Sequence, residues 1–256
     1  MSESLSVKVD QGGVNARILA KEAKADFRRV EAASLKMPTR FTSAEGKRFF
    51  ARLFNTLQLN THFISVIART RLDHEDVAKI EDSIRAKIEA VNQNLNTAID
   101  GAEALFTTHG ITSTATYDTV PLDVDVHVLS SIGRRFLELL GKLDQLMPLL
   151  QTLEIHEVIT TQAVDAQRAS LKRQVRDVAN GARNLAMGLR RRMNAMDARG
   201  SESRGEETRH GEVAVEIADN SDESGATENA AVDSTEKSSG VSSPGIALGL
   251  LSAGAD

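Results

Sequence analysis

The chain of 256 residues contains no cysteine, no tryptophan, a single tyrosine and only four prolines. The absence of cysteine excludes disulfide bonds, thiolate nucleophiles and cysteine metal ligands, and it fits a reducing cytosol. Scarce aromatic side chains leave little for the base stacking that single-strand binders use. The first residues contain no apolar run, so we expect no signal peptide, and no apolar run in the sequence approaches the ~20 residues of a membrane helix. We therefore expect a cytoplasmic protein with no membrane partner.

Charge is spread unevenly along the chain. Residues 201–256 carry 12 acidic and 3 basic side chains, a net of −9, whereas the whole chain carries −5, so residues 1–200 carry +4. The segment 198–256 is also rich in serine and glycine, which predicts a disordered acidic tail. Before it we expect a flexible N-terminus over residues 1–13 and a helical domain over residues 14–197.

Hydrophobic periodicity predicts a mainly α-helical fold. Apolar residues recur every three or four positions, which favours helices. The first expected helix covers residues 14–36, and the second begins at Thr42, with Glu45 completing a capping box. A long third helix begins at Asp73 and ends at Gly110. The fourth begins at Ser130 and is ended or kinked by Pro148, and the last covers about residues 158–197. Alternating valines over residues 120–128 predict one half-buried strand, while the preceding extended segment "MPTRFT" gives a much weaker strand signal.

Two stretches of the sequence match each other at an offset of 87 residues. "SAEGKRFFARLFNTLQL", from Ser43, shares seven residues with "SSIGRRFLELLGKLDQL", from Ser130. The same offset, without a gap, also aligns the apolar positions of the long helix that Asp73 caps with the apolar positions of the last helix. We therefore predict a tandem duplication of a strand–helix–helix unit, over about residues 38–106 and 120–193. The two copies would close about a pseudo-twofold axis into a helical bundle with a small strand element.

The sequence lacks the patterns that mark most enzymes. It has no phosphate loop, nucleophile elbow or dinucleotide fingerprint, and no two of its six histidines have the i, i+4 spacing of metal ligands on a helix. His74 within "DHED", or Asp123, Asp125 and His127 on one strand face, could bind a metal. A helix start and a solvated strand face explain them better. We expect no catalytic residue, cofactor, metal site or small-molecule substrate, and hence no enzyme.

The most suggestive feature is a basic set on the last helix. Arg176, Arg183 and Arg190 are spaced by seven and must line one side of that helix. A rigid row of cations suits a phosphate backbone, although an ordinary solvated helix face is the alternative. The candidate nucleic-acid-binding residues are Arg168, Lys172, Arg176, Arg183, Arg190, Arg191 and Arg192, with Lys47, Arg48, Arg134 and Arg135 at the starts of the two repeated helices.

The stretch "GRRFLELLGKLDQLM", followed by a long helix ending "LKRQVRDVANGARNLAMGLRRRMN", resembles the AcaB-like family of plasmids and integrating conjugative elements. The resemblance spans roughly residues 15–195 and implies a DNA-associated regulator of conjugative transfer with ribbon–helix–helix recognition. In that fold, two antiparallel strands enter the major groove and their exposed side chains read bases. Here the exposed strand face offers Pro121, Asp123, Asp125 and His127, two acids and no arginine, so no base-reading residue is carried over.

Two functional hypotheses follow from the sequence. The first is a DNA-binding regulatory protein of a mobile conjugative element, with double-stranded DNA as the partner of its basic helix. The second is a non-enzymatic helical scaffold of conjugative transfer, which would bind a second copy of the chain or another protein through its helices.

Overall fold

The structure is a computed structural model that describes residues 10–24 and 32–203. Residues 1–9, 25–31 and 204–256, which include nearly all of the predicted acidic tail, lie outside the described residues. A short 3₁₀ turn, Gln11–Gly13, precedes the first helix. The remaining elements are α1 Val14–Lys24, β1 Leu35–Phe41, α2 Ala44–Phe49, a π-helical turn Phe50–Phe54, α3 Asn55–His62, a second π-helical turn Phe63–Ile67, a 3₁₀ turn Ala68–Thr70, α4 His74–Thr108, β2 Leu122–Val128, α5 Ser131–Ile155 and α6 Thr161–Ser203. A mainly helical fold with a small strand element is thus confirmed. None of the described helices is both long and apolar enough to span a membrane.

The two strands form an antiparallel ribbon in which they pair over their whole length. Leu35 lies opposite Val128 and Phe41 opposite Leu122, so the central pair is Pro38 with Asp125. One face of β2 is buried by alternating apolar residues, as the period of two predicts. The strand predicted over residues 120–128 is confirmed, and the weak extended signal at "MPTRFT" marks its partner.

The first predicted helix is too long. Instead of reaching residue 36, its described part ends at Lys24, and Leu35 and Lys36 belong to β1. Pro38 pushes the residue before it towards extended geometry, and β2 offers a full ladder of hydrogen bonds to that segment. Tertiary pairing therefore overrides the helix propensity of the sequence before the proline.

The caps of the first helices of the two copies match. Ser43 accepts a hydrogen bond from the Gly46 amide at 2.9 Å, and Ser130 accepts one from the Gly133 amide at 3.1 Å. The prediction that Thr42 is the N-cap is therefore wrong. The N-cap is Ser43, one residue later, which has the extended backbone of that position. Asp73, as predicted, caps α4 by accepting from the Glu75 amide.

Two further helix ends can be compared with the prediction. Gly110 adopts a left-handed φ of 65° just beyond α4, and the Ile111 amide bonds to the Phe106 carbonyl at 2.9 Å, which completes a Schellman end. Pro148 was predicted to end or kink its helix, but α5 continues through it to Ile155. Met196 continues the apolar spacing of the last helix, which predicts its burial, but it is exposed.

Residues 44–70 are helical throughout, and we call this stretch the rod. The rod occupies the place in the first copy that α5 occupies in the second, yet it has 27 residues where α5 has 25. Each π-helical turn inserts one extra residue into a helix, which accounts for the difference. The loop after the rod, residues 71–73, is two residues shorter than the loop 156–160, so the next helices return to register.

Every element of the second copy begins 87 residues after its counterpart in the first. Copy 1 is β1, the rod and α4; copy 2 is β2, α5 and α6. The central ribbon pair, Pro38 with Asp125, joins two residues that are themselves 87 apart. This arrangement supports the predicted strand–helix–helix duplication about a pseudo-twofold axis.

Contacts between α4 and α6 obey the same symmetry. The Asn94 side-chain amide donates to Gln174 at 2.8 Å. The Lys87 ammonium lies 3.5 Å from the position that a Cβ atom on Gly181 would occupy. Adding 87 to Lys87 gives Gln174, and subtracting 87 from Gly181 gives Asn94. The twofold therefore exchanges these two contacts, and the two long helices run antiparallel.

A single core joins both copies. Buried side chains from the ribbon, the rod and α4 to α6 form one cluster, to which α1 adds Ile18. Its largest fully buried members are Phe41, Phe50, Phe54, Phe136, Leu57, Ile64, Ile84, Ile88, Leu95, Leu122, Leu139 and Leu140. This core fixes the faces that α6 and the rod present to solvent.

Candidate nucleic-acid interface

Three arginines form an exposed row along α6. Arg176, Arg183 and Arg190 are all exposed, and at seven-residue spacing they are about 10.5 Å apart along the helix, spanning about 21 Å. None of them has an ion-pair partner among the described residues. We call these three residues the arginine row; its cations are available to an external anion.

Arg190 is held in place by an aromatic ring. Its guanidinium carbon lies 4.4 Å from the centre of the Phe63 ring, in the second π-helical turn. A cation–π contact of this kind orders the side chain without neutralising its charge. One end of the arginine row is therefore pre-ordered for an anion.

Other candidates on α6 differ in their availability. Arg191 is exposed, whereas Arg192 lies 3.7 Å from the Asp76 carboxylate on α4. Lys172 is paired at 3.9 Å with Glu45. These two pairs are long and partly solvated, so they weaken the two cations' availability without removing it.

Arg168 faces inward. Its guanidinium donates to the Gln151 side chain at 2.9 Å and to the Met147 carbonyl at 3.4 Å, both on α5. Its Nε is buried with no hydrogen-bond partner in the described structure. Arg168 therefore helps to join α5 to α6, and it is half-buried, unlike the exposed arginine row.

Lys47 is also unavailable, because its side chain is 94% buried. The ammonium donates to the Val120 carbonyl at 2.5 Å. Burial lowers the pKa of Lys47, and the nearby carboxylates of Asp10 and Asp144 oppose that shift. The prediction that Lys47 contacts phosphate is corrected, since α1 and the loop before β2 cover this position.

The remaining candidates lie at the starts of the rod and α5. Arg48 and Arg135 are exposed, and neither has an ion-pair partner in the described part of the chain. Arg134 is paired with Glu138 at 2.9 Å within α5. The structure thus brings the arginine row and Arg191 together, and it places Arg134 and Arg135 on another helix of the bundle.

The rod lies beside α6 and runs in the same direction. Glu45 is next to Lys172, Phe63 next to Arg190, and Arg71 donates to Asp197 at 2.9 Å. The rod contains four basic and one acidic residue and α6 nine basic and four acidic, so this pair carries a net +8. We call the rod and α6 together the basic side of the bundle.

The twofold-related side has the opposite charge. It consists of α5, with three basic and three acidic residues, and α4, with three basic and seven acidic, a net of −4. The positions equivalent to the arginine row are Glu89, Asn96 and Glu103. We call α4 and α5 together the acidic side.

The ribbon offers little to a phosphate backbone. Its outward residues are Lys36, Pro38 and Arg40 from β1 with Asp123, Asp125 and His127 from β2. Arg40 lies 3.6 Å from Asp123, and the formal charges of this face cancel. No cluster of three or more His, Asp or Glu residues in the described chain could hold a metal ion.

The basic side also carries exposed apolar residues that the sequence does not predict. Leu59, Val66 and Ile67 of the rod and Met187 of α6 are each 37–49% exposed. Leu59 aligns at offset 87 with Leu146, which is fully buried, so the alignment predicts burial for both. The π-helical turn before Leu59 turns it to the surface, and the sequence carries no signal of that turn.

Comparisons with known proteins support the fold. The crystal structure of selenomethionine-containing AcaB from uropathogenic E. coli is similar, with a TM-score of 0.57 and 21% sequence identity. The match covers 68% of this chain and 88% of AcaB. No family model matches the sequence, and no curated protein matches it either. The chain therefore has an AcaB-like fold.

Proposed function

We propose that this chain is a non-enzymatic, DNA-binding regulatory protein of a mobile conjugative element, a distant member of the AcaB-like family. Its basic side would contact the phosphates of double-stranded DNA. The observation that carries the proposal is the arginine row, which is exposed, unpaired among the described residues and 21 Å long at about 1.5 Å per residue. Each phosphate that such a row neutralises releases counterions, which drives binding at low salt.

The ribbon is not the DNA-contacting element in this proposal. In ribbon–helix–helix proteins the strands read bases from the major groove, but here the outward face is neutral and one of its two cations is paired with Asp123. Binding through α6 and the rod would position the protein on the backbone. We therefore expect strong salt dependence and modest sequence preference from the described domain.

A scaffold function is the second candidate, and a specific observation favours it. The exposed apolar side chains of Leu59, Val66, Ile67 and Met187 lie on the rod and α6, the two helices of the basic side. Exposed apolar residues rimmed by charges are typical of protein-interaction surfaces. On this alternative the arginines would only solubilise the face, and duplex DNA would not bind.

The test compares the wild type with the variant Arg176→Glu/Arg183→Glu on one duplex across a salt series. We expect the variant to bind at least about tenfold more weakly near 100 mM salt, with a salt slope reduced by about 2, one for each lost phosphate contact. The matched control, Lys36→Glu on the ribbon combined with Lys79→Glu on α4, changes the net charge equally and should bind like the wild type. Absence of duplex binding by the wild type at this salt concentration would refute the proposal and favour the scaffold.

A further inference from the structure

Helix α1 is the one described helix that has no counterpart in the other copy. It packs on the rod: the Lys21 ammonium donates to the Ala51 carbonyl at 3.0 Å, and Asn55 donates to Glu22 at 2.9 Å. Asn15 of α1 also donates to the Val120 and Pro121 carbonyls ahead of β2. Because no equivalent helix covers α5 within residues 10–24 and 32–203, this packing creates a surface that the described part of copy 2 does not have.

A groove of about 480 Å³ lies between α1 and the rod. Its apolar lining comes from Val14 and Ile18 of α1 and from Ala44 and Ala51 of the rod. The alanines are seven residues apart on one side of the rod, and their small side chains leave the space open. Val14 is 42% exposed although it lines this groove, so its apolar surface is uncovered among the described residues.

Cations surround the apolar lining. Arg17, Arg48 and Arg52 line the groove, and Lys47 lies buried within it. Among the described residues, Asp10 supplies the one carboxylate that lines the groove, and it accepts a hydrogen bond from the Asn15 amide at 3.1 Å. None of the three arginines has an ion-pair partner in the described structure, so an apolar groove presents an uncompensated positive charge.

Comparison with copy 2 shows what the groove lacks. The positions equivalent to Lys47, Arg48 and Ala51 are Arg134, Arg135 and Glu138. In α5, Glu138 pairs with Arg134 at 2.9 Å and neutralises part of this charge internally. In the rod an alanine stands where the carboxylate would be, which opens the groove and leaves its cations to an external partner.

We propose that the groove between α1 and the rod binds an acidic amphipathic helix of a partner protein. From Ala44 to Arg52 the lining extends about 12 Å along the rod, which suits two turns of a helix lying alongside. Apolar side chains of the partner would enter over Val14, Ala44 and Ala51, and its carboxylates would meet Arg17, Arg48 and Arg52. Apolar anchors in a groove with charges at the rim are the usual form of helix-in-groove recognition.

The test uses the full chain and a fluorescein-labelled, leucine- and glutamate-containing amphipathic peptide of about 12 residues. We expect it to bind the wild type at least about tenfold tighter than a matched peptide with glutamine for every glutamate, measured by anisotropy near 50 mM salt. The variant Ala51→Glu, which copies Glu138, should lose about tenfold in affinity by filling and neutralising the groove. Arg48→Glu/Arg52→Glu should lose at least as much.

The matched control is Arg135→Glu, the twofold counterpart of a change at Arg48, and we expect it to leave peptide binding unchanged. Equal binding of the two peptides, or equal losses from Arg48→Glu and Arg135→Glu, would show general charge attraction and overturn the proposal. Circular dichroism confirms that each variant is folded. The outcome is separable from the DNA proposal, because Arg176→Glu/Arg183→Glu should retain peptide binding whether or not duplex DNA binds.

Discussion

The two copies of the repeat share a backbone plan but differ in charge. Where copy 2 has Arg176, Arg183 and Arg190 on its long helix, copy 1 has Glu89, Asn96 and Glu103. Glu89 and Glu103 are exposed, while Asn96 is half-buried and accepts from the Lys142 ammonium at 2.7 Å. None of these positions belongs to the apolar core, so either set is compatible with the same core packing. A symmetric bundle has thereby acquired one basic and one acidic side, and only the basic side is suited to a polyanion.

A buried polar side chain of each copy bonds to the start of the first helix in the other copy, and the two side chains are of different chemical type. Asp144 of α5 accepts from the Thr42 and Ser43 amides, both at 2.8 Å, and from both hydroxyls. Gln58 of the rod occupies the corresponding place, where it accepts from the Leu129 amide at 3.0 Å and donates to the His127 carbonyl. The carboxylate makes more bonds in a tighter space, so the two junctions should differ in stability.

The largest expected effect comes from Gly46→Ala. A methyl group there would collide with Oδ1 of Asp144 and lie 2.8 Å from its Cγ. Because that carboxylate is fixed by its four hydrogen bonds, we expect the free energy of unfolding to fall by about 3 kcal/mol. Urea denaturation measures the change.

Its counterpart, Gly133→Ala, is the matched control. The new methyl group would lie 3.0 Å from Oε1 of Gln58, 3.4 Å from the Ser130 hydroxyl and 3.7 Å from a Val128 methyl group, so it meets no collision like that at Gly46. Alanine also gains about 1 kcal/mol of helix propensity over glycine, so the net effect should stay within about 1 kcal/mol. Equal losses at both glycines would contradict the described difference between the two junctions.

A smaller effect concerns Tyr117, in the segment that links the two copies. Burial raises its pKa to about 12, with the Glu45 carboxylate adding to the shift. A tyrosine whose pKa is higher in the folded state stabilises the fold below the unfolded pKa of about 10, and that stabilisation is lost as pH rises from about 10 to about 12. Since the ring is half-buried, solvent screening keeps the loss well below the full linkage value.

Because Tyr117 is the chain's one tyrosine and tryptophan is absent, the absorbance of its phenolate can be followed without interference. We expect a midpoint near pH 10 in denaturant and a clearly higher midpoint in native buffer, in the direction that burial gives. A native midpoint at the denatured value would show that this linking segment does not pack as described.

Much of the fold could be predicted from the sequence because the duplication leaves a constant offset. Ser130 and Asp73 cap their helices as predicted, and the alternating valines of β2 mark its buried face. The π-helical turns could not be predicted, because the shorter loop after the rod restores the offset of 87 and the alignment shows no gap. Gln58 therefore aligns with Gln145, which is exposed, although it takes the place of Asp144.

The candidate site was predicted only in part. Spacing by seven places the three members of the arginine row on one side of a helix, and the structure exposes all three. Arg168 follows the same helical spacing but is bonded to α5, and Lys47, predicted from its place at the start of a repeated helix, is covered by the loop before β2. A helical period determines which residues share a face, but not which distant segment covers that face.

The contrast between the basic and acidic sides can be tested most directly with single cysteines, since the chain has none of its own. Asn180 lies between Arg176 and Arg183, and its twofold counterpart on α4 is Gln93; both are exposed. The measurement is the rate of thiol labelling of Asn180→Cys and Gln93→Cys with and without a saturating DNA duplex. We predict that DNA slows labelling at position 180 at least about tenfold, as expected of a saturated site, and leaves position 93 unchanged. Equal protection of both positions, or protection of position 93 alone, would contradict the account.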